Sequence, residues 1–169
     1  MKRIQAIAMY QELQNIRLDK MSDEMTDAIL ANTLAVAEVN DAMAKAQEEL
    51  RMRTVGILDR DRIVAYDDLV IKMNALEGSK RMAVQAVIND NYHDVRMQLE
   101  RFNKALSSWL EKDITLELDL IDRKEFIKAM KDSDQKITPA DLNVMAAIFK
   151  DHPTTSAEID LNELESLIG

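Results

Sequence analysis

Residues 79–112 have the sequence SKRMAVQAVINDNYHDVRMQLERFNKALSSWLEK, and this stretch decides the fold that we predict. Its apolar residues recur at alternating steps of four and three; they are Ile88, Tyr92, Val95, Leu99, Phe102, Leu106 and Trp109. Such spacing keeps all of them on one side of a helix, as in a coiled coil. We therefore predict one long helix from Ser79 to Lys112.

A second run of the chain has the same spacing. Its members are Met25, Ile29, Asn32, Val36, Val39, Met43, Ala46 and Leu50, and Ser22 precedes them as a capping residue. Each helix would be roughly 50 Å long, too long to bury its apolar side alone. We expect the two helices to pack on each other as an antiparallel hairpin, on a second copy of the chain, or both. Asn32 is typical of a residue that fixes helix register, and a ligand-contacting Asn32 is the alternative.

Shorter helices are predicted around these two. Residues 2–17 form an amphipathic pattern, and capping signals begin three helices in the tail, after Asp122, Thr138 and Asp160. Residues 55–78 are ambiguous, because their apolar steps favour a helix while their β-branched residues leave a strand possible. We interpret them as a helix.

The apolar pattern changes to strict alternation in residues 114–120, which predicts a half-buried strand. A strand needs partners for its edge amides. The candidates are residues 157–159, the stretch around Ile63, or the same strand in another subunit. The predicted fold class is therefore mainly α. Residues 1–112 form a helical body built on the long antiparallel hairpin, and residues 113–169 form a small C-terminal α+β tail with one strand.

The composition narrows the class of protein. The absence of cysteine excludes disulfides, thiolate metal sites and cysteine nucleophiles. No apolar run reaches membrane-spanning length, and residues 10–12 interrupt the first apolar stretch too early for a signal peptide. We therefore expect a cytoplasmic protein that is neither exported nor inserted into a membrane.

The formal net charge of −9 is unevenly distributed. Residues 1–50 carry −4 and residues 113–169 carry −7, whereas residues 51–112 carry +2. Acidic ends argue against general nucleic-acid binding, which needs a concentrated basic face. The middle of the chain offers the positive surface that a small anion would find.

Catalytic and metal-binding patterns are weak. Neither His93 nor His152 has another histidine at metal-ligand spacing, and no glycine-rich phosphate loop occurs. Residues 132–137 and 159–163 have too few oxygen ligands for calcium loops, and turns and helix caps explain them. We predict no catalytic residue, no metal, no cofactor and no enzymatic activity. The alternative, a hydrolase, would need a deep pocket around His93 or His152 with a carboxylate in hydrogen-bond reach.

The candidate ligand-binding residues are cationic and partly aromatic. They are Arg51, Arg53, Arg60, Arg62, Tyr66, Lys80, Arg81, Tyr92 and Arg96. Arginine binds phosphate or carboxylate through two parallel hydrogen bonds, and a tyrosine ring can stack on a base. If the long helices run antiparallel, the basic end of one lies beside the basic start of the other. The alternative is that these residues favour helix C-termini and form surface salt bridges.

The order of parts resembles a group of small phage- and prophage-encoded proteins of unknown function. The matching segments are MTDAILAN at residues 25–32, ITLEL at residues 114–118 and ITPADL at residues 137–142. The resemblance implies an accessory protein made during infection, many of which bind host molecules, and some of which sequester nucleotide immune signals. It assigns no catalytic residue, and it implies the host cytoplasm as the location if the chain is encoded by a phage. We expect a homo-oligomeric binding protein for a small anionic, nucleotide-like ligand; the alternative is a scaffold or phage assembly protein that binds another protein.

Overall fold

In the computed structural model, which describes residues 1–150, the chain is mainly helical, as predicted. The α-helices are α1 (Arg3–Gln14), α2 (Asp23–Arg53), α3 (Arg60–Asn74), α4 (Gly78–Asn91), α5 (His93–Leu110), α6 (Arg123–Asp132) and α7 (Pro139–Val144). Two short 3-10 turns cover Val55–Ile57 and Ala146–Ile148. The helix predicted after Asp160, the strand partner at residues 157–159 and His152 lie outside the described residues.

The chain forms two compact units. Among the described residues, the first contains Met1, residues 5–38 and residues 115–150, and the second contains Lys2–Ile4 and Val39–Ile114. This grouping joins residues 5–38 to the tail, which the sequence division at 112/113 keeps apart.

The core of the first unit is built from α1, the first half of α2, α6 and the segment that follows α7. Its fully buried side chains include Met9, Ile29, Val36, Phe126, Met145 and Ile148. The rings of Phe126 and Phe149 lie 5.4 Å apart, between centroids. Apolar burial of this kind is the main term that stabilises such a small unit.

Local capping explains where the helices of the first unit begin. The Met25 amide donates to Ser22 Oγ, at 3.2 Å, at the start of α2. The Glu125 amide donates to Asp122 Oδ1, at 2.9 Å, and starts α6. Thr138 and Asp141 form a capping box with Pro139 in the first turn of α7. The three predicted starts are confirmed, because each depends on residues within one turn of the cap.

The predicted strand at residues 114–120 is wrong. The exposure of residues 114–119 alternates, and Asp119 and Ile121 each bond through both their N–H and C=O, as in an extended chain. In residues 1–150, however, the only β pairing consists of two isolated bridges, Lys2 with Asp113 and Ile121 with Phe149. Instead of a neighbouring strand, the Asn32 side chain bonds the segment: its Nδ2 donates to the Asp119 carbonyl at 2.8 Å, and the Asp119 amide donates to its Oδ1 at 2.7 Å. An amide side chain therefore replaces part of a sheet ladder.

The predicted continuous helix at residues 79–112 is also wrong, because it is divided at Tyr92. The backbone there leaves the helical region, with φ −124° and ψ 28°, so that α4 ends at Asn91 and α5 begins at His93. The residues before the break are Asn89, Asp90 and Asn91, whose short polar side chains compete with helical backbone hydrogen bonds. Ile88 and Val95, on either side of the break, remain buried.

The ambiguous region is helical in residues 60–74 and forms a 3-10 turn at Val55–Ile57. Within the second unit α3 packs on α4, α4 contacts α5, and α5 contacts the Val55–Ile57 turn. No residue of α3 is fully buried. Along α2 the residues with the four-and-three spacing are buried from Met25 to Val36 and half-buried from Val39 to Leu50, whereas Leu34 is 71% exposed.

Candidate functional site: an arginine-lined groove

The division of the predicted long helix at Tyr92 creates a bonded cluster around Arg62. From α3, the Arg62 Nε and one terminal nitrogen donate to the two Asp94 carboxylate oxygens at 2.9 and 2.8 Å. The same terminal nitrogen donates to the carbonyl of Asn91, the last residue of α4. Arg62 also lies over the Tyr92 ring, 4.8 Å from its centroid, and the Tyr66 and Tyr92 rings are 6.1 Å apart. We call these residues the Arg62 cluster.

The charges of the Arg62 cluster largely neutralise each other. The hydrogen bonds from Arg62 lower the pKa of Asp94, and the same contact raises the pKa of Arg62. Both groups are exposed to solvent, so the pair positions α3 more than it stabilises the fold. An anionic ligand would have to displace Asp94 before it could bind the Arg62 guanidinium.

Two further predicted cations bond to neighbours in sequence. Arg53 forms an ion pair with Glu49, one turn earlier in α2, at 2.5 Å. Arg96 donates to Asn89 Oδ1, which also accepts from Gln85 Nε2 at 2.9 Å. Their hydrogen-bonding capacity is thus partly used within the protein.

Arg51 and Arg60 differ from these cations, because neither guanidinium has an ion pair or hydrogen bond among residues 1–150. Both line a groove of about 570 Å³. Its other lining residues are Met52, Val55, Gly56, Leu58, Ile63 and Val64. The groove therefore has two arginines and no carboxylate in its lining, and we call it the Arg51/Arg60 groove.

The local sequence explains how this groove forms. Arg51 lies in the last turn of α2, where a cation is favoured by the helix dipole. The 3-10 turn that follows approaches α2 closely: a Cβ at Gly56 would lie 3.2 Å from the Arg51 carbonyl oxygen. The chain then turns into α3, whose start is capped by Asp59 and which places Arg60 and Val64 on the groove.

The lining of the groove is mostly apolar apart from the two arginines. Met52 is 65% exposed and Val64 is 49% exposed, although both are large apolar side chains. Two cations beside exposed apolar surface suit a ligand that has both an anionic and an apolar part, such as a phosphate joined to a base or an acyl chain.

The structure therefore separates the nine predicted residues. Arg51 and Arg60 meet in the groove; Arg62, Tyr66 and Tyr92 form the bonded cluster; Arg53 and Arg96 bond within their own part of the chain. Lys80 and Arg81 are exposed in the first turn of α4 and do not line the groove.

Neither the apolar lining of the groove nor the bond from Arg62 to Asp94 is predicted by the sequence patterns described above. The isolated Gly56 between two apolar residues is the signal that could have indicated a close turn. His93 is exposed at the start of α5. Within the described part of the chain, no cluster of three acidic or histidine side chains is arranged to hold a metal ion.

Comparisons with protein-family models, with curated proteins and with solved structures find no match to this chain. None of the helices in residues 1–150 combines the length and apolar character needed to cross a bilayer.

Proposed function

We propose that this chain is a non-catalytic, phage-type accessory protein that binds a small anionic, nucleotide-like ligand in the Arg51/Arg60 groove. The observation that carries the proposal is a groove of about 570 Å³ lined by two arginines without a protein partner among the described residues. A ligand phosphate would accept charge-assisted hydrogen bonds from both guanidinia. A base or other apolar group would cover Met52 and Val64.

The Arg62 cluster supports the ligand indirectly in this proposal. Its bonds join α3 to the junction of α4 and α5, and α3 carries Arg60 and Val64 of the groove. Binding then needs no rearrangement of Arg62, because the anion is bound by the cations that have no partner.

Isothermal titration with a panel of linear and cyclic nucleotides tests the proposal. The double variant Arg51→Gln/Arg60→Gln removes the two free cations, and Lys124→Gln/Lys128→Gln removes the same charge from exposed positions of α6. We expect the groove variant to lose roughly 10- to 100-fold in affinity, because hydrogen bonds to charged groups are among the stronger ones, while the α6 variant keeps its affinity. Absence of heat with every nucleotide, or equal losses in both variants, would contradict the proposal.

A second candidate function is a scaffold that binds protein, and α3 favours it. This helix contains no buried residue, and its Ile71 side chain is 69% exposed. Large exposed apolar side chains on one helix are typical of an interface. We propose that α3 and the half-buried second part of α2 associate with a second copy of the chain, which retains the expectation of a homo-oligomer and of helix pairing across subunits.

Native mass spectrometry separates the two candidate functions. A defined oligomer that carries a small molecule supports the nucleotide-binding function, whereas an oligomer without a small molecule, alone or with a co-purified protein, supports the scaffold. Ile71→Glu is expected to reduce the oligomer to monomers, whereas Asn74→Glu, which adds the same charge at an exposed polar position of α3, is the matched control. A wild-type protein that is monomeric at micromolar concentration would exclude self-association through α3.

A further inference from the structure

The extended segment at residues 114–120 has one edge that is bonded and one that is open. On the bonded edge, Asp119 exchanges two hydrogen bonds with the Asn32 side chain. Ile121, two residues later, donates to the Ile148 carbonyl at 2.8 Å and accepts from the Lys150 amide at 2.9 Å. These contacts fix the segment in position within the first unit.

The open edge consists of the intervening residues Leu116, Leu118 and Leu120. In an extended chain the N–H and C=O groups of alternate residues point to the same edge, so those of the three leucines face away from the edge that Asn32 occupies. Their backbone groups have no hydrogen bond in the part of the chain that the structure describes. Unpaired edge groups of this kind are a template for another extended chain.

The segment that carries the open edge is acidic. Glu117 and Asp119 are exposed along the segment. A groove of about 560 Å³ lies where the end of the segment meets the start of α2, the helix on the bonded edge, and its lining includes Asp119 and Leu120 together with Glu24, Asp27, Asp122 and Glu125. The single cation in this lining is Lys150.

We propose that the open edge binds an extended segment of a partner protein in which basic and apolar residues alternate. The partner backbone would pair with Leu116, Leu118 and Leu120 by strand addition. Its basic side chains would lie beside Glu117 and Asp119, and its apolar side chains would lie on the opposite face, beside the leucines. Opposite charges on neighbouring strands favour this pairing.

Charge argues against a second copy of the same segment as the occupant. Residues 113–122 carry four acidic residues and no basic residue. Pairing two copies would place Glu117 and Asp119 of one chain on the same face as those of the other, and like charges on neighbouring strands are unfavourable. A basic partner strand has no such penalty.

A labelled nine-residue peptide that alternates lysine and valine is the probe, and fluorescence anisotropy is the measurement. One matched peptide has glutamate in place of lysine, and another has N-methylated backbone amides on its pairing edge. We expect binding of the lysine peptide, at least tenfold weaker binding of the N-methylated peptide because its edge hydrogen bonds are lost, and no binding of the glutamate peptide. Equal affinity of the methylated peptide would overturn strand addition, since charge alone would then explain binding.

Two proline variants test the edge on the protein side. Leu120→Pro removes an N–H from the open edge, and Thr115→Pro removes one from the other edge. Leu120→Pro is expected to lower the affinity for the lysine peptide by about 3- to 10-fold. Thr115→Pro is expected to leave that affinity unchanged. Far-UV circular dichroism checks that both variants fold. If either does not, amide hydrogen exchange of the wild-type protein tests the edge instead, and we expect slower exchange at residues 116, 118 and 120 when the peptide binds. Equal losses in both variants, unchanged exchange, or self-association of the wild type that Leu120→Pro abolishes would each overturn the proposal.

Discussion

Replacement of Asn32 is the sharpest test of how the first unit is held together. Asn32 is 1% exposed and its side chain exchanges two hydrogen bonds with the Asp119 backbone, at 2.7 and 2.8 Å. These bonds join helix α2 to a segment 87 residues away in sequence. Asn32→Ala removes both at once, and no other described side chain bonds Asp119.

The expected cost follows from these two bonds. Each contributes about 0.5–1.5 kcal/mol net, and truncation of a buried side chain adds a small cavity. The Asp119 residue is exposed, so water can replace part of what its backbone loses. We expect Asn32→Ala to lower the free energy of unfolding by about 2 kcal/mol, which corresponds to a fall of about 1 M in the urea midpoint for a chain of this size.

Asn32→Asp distinguishes hydrogen bonding from simple packing. Its carboxylate still accepts from the Asp119 amide but faces the Asp119 carbonyl oxygen with a second acceptor, in a buried position. Burial and this repulsion should raise the carboxyl pKa above its unfolded value of about 3.9. The protonated form is then favoured by folding, so the variant loses stability as pH rises from the unfolded pKa through the folded pKa. At pH 7 we expect Asn32→Asp to lower the free energy of unfolding more than Asn32→Ala does. This loss of stability should become smaller as the pH is lowered toward 4.

Urea unfolding followed by far-UV circular dichroism is the assay, with Asn143→Ala as the control. Asn143 lies in α7 of the same unit, is exposed and has no side-chain hydrogen bond in the described structure. Its substitution should change the free energy of unfolding by no more than about 0.5 kcal/mol. If Asn32→Ala changed the free energy of unfolding as little as Asn143→Ala does, the assignment of the two hydrogen bonds would be refuted. A loss of stability in Asn32→Asp that did not depend on pH would refute it as well.

Three further predictions concern single positions. Arg62→Gln should let the pKa of Asp94, which Arg62 lowers, return toward 3.8, and carboxyl NMR titration checks this; an unchanged pKa would contradict the pairing. Burial, with a smaller contribution from Asp141, raises the pKa of Glu12, so wild-type stability falls as pH rises through that pKa. Glu12→Gln should therefore have a higher urea midpoint than the wild type at pH 7 but not below pH 4. An equal difference between the two midpoints at both pH values would contradict the raised pKa of Glu12. Gly78 has φ +62° with open space around it. Gly78→Ala should therefore lower the free energy of unfolding by about 1 kcal/mol through backbone strain alone, and Gly78→Asn should lower it less. Equal urea midpoints for the wild type and both variants would exclude strain.

The helices were predictable where their determinants lie close together in sequence. Ser22, Asp122 and Thr138 each accept a hydrogen bond from an amide three residues later, and the apolar period of the following helix is likewise local. The break at Tyr92 was missed because the apolar period continues across it. The spacing of the apolar residues indicates which side of a helix is buried. The break, in contrast, depends on the polar residues 89–91, which are on the exposed side.

The candidate site was predictable in residue type but not in arrangement. The positive charge in the middle of the chain is a property of the sequence, and it places Arg51 and Arg60 among the predicted ligand-binding residues. Which arginines are free depends on partners far along the chain: Arg62 pairs with Asp94, 32 residues away, while Arg60, two positions earlier, has no partner in residues 1–150. Ion pairing between distant residues is decided by folding, so sequence spacing does not distinguish the two.

By itself, the sequence determined that this chain is mainly helical, where most of its helices begin, and that residues 114–119 alternate between half-buried and exposed positions. Only the tertiary structure decided what that extended segment bonds to. A strand prediction requires a neighbour with free backbone groups, and here the neighbour is the side chain of Asn32 on one edge, with the other edge open. The physical reason is that alternation is set by local geometry, whereas a hydrogen-bond partner is set by whichever group the fold brings within about 3 Å.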